Sequence, residues 1–102
     1  MYYRLEVDGA GIYEFVDRVC PRNDTRRGEK PDGSWLKKAG LDYPEGISWW
    51  TEEGFAKYKE SGLKDWHEKI TNELGKEIVV LKSEKLRGEV LYKDTFQVIV
   101  GA

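Results

Sequence analysis

The chain of 102 residues carries 17 basic and 19 acidic side chains, for a formal net charge of −2, together with four Trp, six Tyr and three Phe. That length points to one domain able to bury about two thirds of its unfolded surface, and the aromatic rings give a small core a large burial per residue. A single cysteine excludes an internal disulfide, and the lack of any apolar run near the roughly 20 residues of a bilayer span excludes a membrane helix.

Residues 2–8 alternate as a strand, with Tyr3, Leu5 and Val7 on one face and Tyr2, Arg4 and Glu6 on the other. The chain opens directly into this pattern, so no secretory leader is expected. Asp8-Gly9-Ala10-Gly11 breaks it. Ile12, Phe15, Val16 and Val19 then recur at helical spacing and predict a short amphipathic helix, which Pro21 ends. Residues 21–46 hold all three prolines and read as a long irregular connection, with Trp35, Leu36, Leu41 and Tyr43 expected to pin its second half to the core.

Gly46-Ile47-Ser48-Trp49-Trp50-Thr51 reads as a strand or turn leading into a helix. Thr51 suits the N-cap, with Glu52 and Glu53 in the first turn and Trp50 and Phe55 in staple positions. Ser61-Gly62 interrupts the helical pattern. Leu63, Trp66, Ile70 and Leu74 form a second stripe, and Gly75 is a stop. Three extended stretches follow, Ile78–Leu81, Glu89–Tyr92 and Thr95–Val100, with Lys93-Asp94 as a turn and Phe96, Val98 and Val100 sharing a face. This order predicts an α+β fold: a small, largely antiparallel or mixed sheet with two to three helices packed on one side. Residues 1–102 read as a single compact domain with a long irregular loop at about 21–46.

Adjacent strand residues point to opposite faces, so Trp49 and Trp50 cannot both enter one core. One of them is expected to line a groove, a subunit contact or the underside of a loop. Trp49, Trp50, Tyr2 and Tyr92 are the candidate aromatic binding surface, since Trp and Tyr are enriched at interaction hot spots. The competing reading is that they complete a small core.

Seven basic and three acidic residues lie between Arg18 and Lys38, so this stretch carries +4 and the remainder −6. Arg22, Arg26 and Arg27 offer forked donors for phosphate, with Trp35 as a stacking surface for a base. Nucleic acid is therefore one possible partner, although no nucleic-acid motif is present; a solvated loop accounts for the same residues. His67, between Trp66 and Glu68, reads as a partly exposed structural histidine rather than a general base. Cys20 reads as a helix-end packing residue. One His and one Cys are too few for a usual zinc site, and no metal is expected.

Three further segments carry a resemblance. Tyr3-Arg4-Leu5 is similar to the early Arg- or His-bearing strand of the ADP-ribosyltransferase group. Ile47-Ser48-Trp49-Trp50-Thr51 is similar to that group's central strand, with Ser-Trp-Trp-Thr in place of Ser-Thr-Ser. Glu89-Val90-Leu91-Tyr92 resembles the late strand bearing its catalytic glutamate. The resemblance implies that Arg4 would hold a nicotinamide dinucleotide (NAD) and Ser48 would orient the site. Glu89 would then stabilise the oxocarbenium-like ribose as nicotinamide leaves. Such a trio must open into one shared cleft. The residues read equally as solvent-facing strand positions, with Ser48 in a turn.

The leading expectation is a small cytoplasmic binding protein: a non-catalytic accessory or inhibitor-type protein of bacterial or phage origin. Its partner would be another protein, with no cofactor and no membrane; its oligomeric state is open. The alternative is a reduced or degenerate ADP-ribosyltransferase-like domain.

Overall fold

The computed structural model describes residues 1–101. Six strands and three helices follow in the order β1 (Tyr2–Val7), β2 (Ala10–Gly11), α1 (Ile12–Val19), β3 (Gly46–Trp50), α2 (Glu52–Glu60), α3 (Leu63–Glu73), β4 (Val79–Ser83), β5 (Val90–Lys93) and β6 (Gln97–Gly101). Every strand pair is antiparallel, so the expected α+β class holds. β1 is central, with β4 along one side and β2 and β3 sharing the other; β3 leads on to β6 and then β5. β4 and β5 are neighbours in sequence yet lie at opposite edges. The six residues joining them cross the sheet, which is curled.

Local chemistry explains most elements. Asp8 and Gly9 both adopt positive φ, 51° and 80°, as a two-residue hairpin turn requires, and this converts the expected break into the β1–β2 hairpin. α1 ends where the Cys20 N–H bonds the Val16 carbonyl at 2.8 Å, just before Pro21. The Thr51 hydroxyl caps α2 by accepting from the Gly54 N–H at 3.0 Å and donates to the Thr95 carbonyl at 2.6 Å. Gly62, at φ 86°, turns the chain from α2 into α3.

The core lies between the helices and the β1–β3 half of the sheet. Leu5 and Val7 meet Ile12, Phe15 and Val16 of α1, Tyr58 of α2 and Leu63, Trp66 and Ile70 of α3. Each such aliphatic burial is worth about 1.5–3 kcal/mol. The expected Trp50–Phe55 staple does not form. Trp50 stacks on Tyr58 at 4.9 Å, and Phe55 stacks on Tyr3 at 4.4 Å, because Tyr3 is the cross-strand partner of Trp50 and reaches the first turn of α2 beside it.

The connection before β3 has the expected length but is more ordered than expected. Thr25–Glu29 and Ala39–Leu41 are 3-10 turns, and β3 begins at Gly46. Trp35 and Leu36 pack on the core as anticipated, but Leu41 is 77% exposed. The Gln97 amide, donating to the Lys37 carbonyl at 2.8 Å, supplies an anchor that Leu41 does not.

Candidate functional site

The strand register separates two faces, since directly paired residues share one. Ser48, Trp50, Gln97 and Ile99 face the helices and the 35–45 connection. Ile47, Trp49, Val98 and Val100 face the helix-free side, where the connection after β4 crosses them. There Leu86, Lys85 and Arg87 enclose an open groove of about 370 Å³ floored by Ile47, Trp49 and Val100.

The groove is held at both ends. The Ser83 hydroxyl donates to the Lys85 carbonyl at 2.5 Å, fixing the turn out of β4. At the other end the Gly101 N–H bonds the Glu89 carbonyl at 2.8 Å. Gly88, at φ 97°, lies so close that an added Cβ would meet the Gly101 carbonyl oxygen at 2.5 Å. Only glycine satisfies both the backbone sign and the space. Among the described residues neither Lys85 nor Arg87 makes an ion pair. The lining therefore offers an apolar floor for side chains and two available cations for carboxylates.

Of the sequence-derived surface residues, the groove contains Trp49. Trp50 is corrected to a core residue, 7% exposed, because the helices dock on its face of β3. Trp35 is partly buried: it wedges between Trp50, at 5.9 Å, and Phe96, at 5.1 Å, with its indole N–H unpartnered among the described residues. Tyr2 lies on the same side of β1 as Arg4 and pairs with Ser83 at the groove's margin. Tyr92 does not join this patch. It pairs with Ile99 on the opposite face and donates to Asp94 at 2.7 Å, a bond that raises its hydroxyl pKa to about 12.

Two of the three loop arginines serve the fold. Arg27 donates to the Cys20 carbonyl at 2.6 and 2.9 Å, meets Asp17 at 3.0 Å and lies 5.6 Å from the centre of the Trp66 ring. Arg26 holds Asp24 at 2.7 Å and reaches Glu73 at 3.4 Å. Hydrogen bonds from the Arg26 side chain and backbone lower the Asp24 carboxyl to about 2. These arginines strap the connection across α1 and α3, which leaves Arg22 as the exposed one.

The proposed trio divides. The Arg4 guanidinium bonds the Ser48 backbone carbonyl at 3.0 Å and Glu6 at 2.7 Å, filling the gap where β3 diverges from β1. The Ser48 side chain belongs to the other face of the sheet. Glu89 lies beyond β6, beside Gly101, so a full strand separates it from β3. The groove beside Trp49 is lined by none of the three.

His67 also departs from expectation. It is 1% exposed and shares a 2.5 Å hydrogen bond with the Tyr58 hydroxyl, while the Tyr13 ring meets it edge-on at 4.8 Å. Burial first, then the positive charge of Lys30, lowers its pKa to about 3, so the ring is neutral. Cys20 is fully buried at the end of α1.

Sequence reasoning missed Ile47, Leu86, Val100, Lys85 and Arg87. One signal was available: Leu86 is a lone apolar residue within the charged run Ser83-Glu84-Lys85-Leu86-Arg87-Gly88. Among the described residues no helix is long and apolar enough to cross a membrane. No protein-family model, curated protein or solved structure matches the chain.

Proposed function

We propose that this chain is a binding protein of the accessory or inhibitor type, acting without catalysis in a cytoplasmic setting. Its partner is another protein. The segment it takes carries an apolar side chain flanked by carboxylates, seated in the groove beside Trp49. The observation that carries this reading is the apolar floor of Ile47, Trp49 and Val100 edged by Lys85 and Arg87, two cations without acidic partners among the described residues. Aromatic side chains at a groove floor give large contact area at low entropic cost, and rim cations steer an acidic partner. A photo-reactive residue at Ile47, which is exposed on the groove, tests it against the same probe at Glu60 on the helical side. The expected result is a discrete protein adduct from Ile47 alone, lost when Lys85 and Arg87 are both changed to Glu. Equal labelling from both positions, or adducts indifferent to the charge reversal, would refute it.

The ADP-ribosyltransferase-like alternative has one observation in its favour, the approach of Arg4 to the backbone of Ser48. It requires Glu89 to act from beyond β6. Calorimetric titration with NAD separates the readings. Saturable binding lost in Glu89→Gln would favour the transferase; no heat, with the Ile47 adduct present, favours the interaction protein.

A further inference from the structure

The two sheet edges are built differently. β5 is four residues long and carries a register irregularity between Val90 and Tyr92, which spoils it as a template. β4 keeps an unbroken five-residue register with β1 and contains no proline and no bulge. No backbone hydrogen bond beyond that register engages Val79–Ser83 among the described residues. Val79 is 55% and Val80 41% exposed. A regular edge with neither proline nor bulge, its one charge at Lys82, can take another strand.

We infer that β4 pairs antiparallel with β4 of a second copy of this chain, about a two-fold axis through Leu81. Outward-facing backbone groups recur at every second residue, so an antiparallel self-pairing must centre on a residue rather than between two. The axis through Leu81 is the one that overlaps all five residues. It sets Val79 against Ser83, Val80 against Lys82 and Leu81 against itself, with no like charges opposed. An axis through Lys82 would oppose two lysines.

Side-chain packing in this register supports the same partner. Val80 lies on the helix side of β4, where it lines a groove of about 240 Å³ with Ile78 and with Lys64, Glu68 and Asn72 of α3. The second copy's Lys82 stands opposite Val80 on that side. Its stem covers the exposed valine beside a groove in which Glu68 is already paired with Lys64 of the same helix. On the other side the second copy's Val79 adjoins Ser83, a residue of the binding groove, so pairing extends that groove's apolar floor across the axis. The inference stands apart from the proposed partner, since it needs none of the groove's cations.

Sedimentation across a dilution series tests it. The wild type is expected to dimerise reversibly. Val80→Lys sets lysine against Lys82 twice and is expected to weaken the dimer by at least about tenfold. Adding Lys82→Glu to that variant restores opposite charges and is expected to restore the dimer. Circular dichroism confirms that each variant is folded. As a second readout, Leu81→Cys is expected to give a disulfide-linked dimer under mild oxidant. The facing Cα atoms would lie about 4.5–5.5 Å apart, within bridging range. Ser83→Cys, about 13 Å from its own copy in this register, is expected not to bridge. The native Cys20 is fully buried and does not compete. A wild type monomeric at every concentration, a dimer indifferent to Val80→Lys, or equal bridging through positions 81 and 83 overturns the inference.

Discussion

Replacing Gly54 by alanine should destabilise the protein by about 2–3 kcal/mol, although helix propensity alone favours the change by about 1 kcal/mol. Gly54 sits in the first turn of α2 and is buried against the turn that precedes β6. A Cβ there would lie 2.7 Å from the Phe96 carbonyl carbon and 2.9 Å from its Cα, and closer still to the carbonyl oxygen. These are backbone atoms, so no side chain can swing aside. The same carbonyl oxygen accepts from the Thr51 N–H at 3.1 Å, so moving it also loosens the start of α2. Overpacking therefore outweighs propensity. Gly28→Ala is the control: nothing lies within 4 Å of its added Cβ, and little change or a slight gain is expected. Urea unfolding of both variants decides the matter. A Gly54→Ala midpoint at or above that of the wild type would show that the α2–Phe96 contact is not as close as described.

Acidification should destabilise the protein before most carboxylates titrate, and His67 should be the cause. Its folded pKa is about 3, against roughly 6.5 for an unperturbed histidine in an unfolded chain. Between those values the unfolded chain binds a proton that the native ring refuses. Stability from this group is complete above about pH 6.5 and falls as pH drops towards 3, by about 1.4 kcal/mol for each unit. Burial is the main cause. Lys30 and Arg27 add to it, and Asp17 opposes them. Asp24, lowered to about 2 by its bonds to Arg26, withdraws stability only below the ordinary carboxylate range, so the two effects separate. Unfolding free energies measured between about pH 6.5 and 4.5 should show the slope in the wild type. His67→Leu should be less stable at neutral pH, because the Tyr58 hydroxyl loses its partner, yet nearly flat across that window. An equal slope in the variant would place the titrating group elsewhere.

His67 shows why part of this structure was not legible in the sequence. Its neighbours Asp65 and Glu68 suggest an exposed helix face. Its burial depends on Tyr58 reaching across from α2 and Tyr13 from α1. The loop arginines mislead in the same way, since cationic side chains ordinarily seek solvent. Arg27 instead satisfies the carbonyl that α1 leaves open at Cys20, a demand set by where the connection lies. The β1–β2 hairpin hid in two residues of strand, too short for any period to register.

What the residues determined alone is local. The alternation over 2–7, the spacing of Ile12, Phe15, Val16 and Val19, the Thr51 cap and the breaks at Gly62 and Gly75 follow from backbone geometry and neighbours in the chain. That two adjacent tryptophans must part company at β3 also follows from the pleat. Which one faces the helices, which cations stay unpaired, and that Leu86 comes to lie over Trp49 were decided by tertiary structure. Those outcomes depend on which sheet face the helices cover and on a connection that crosses the other face, contacts between residues far apart in sequence that no local pattern encodes.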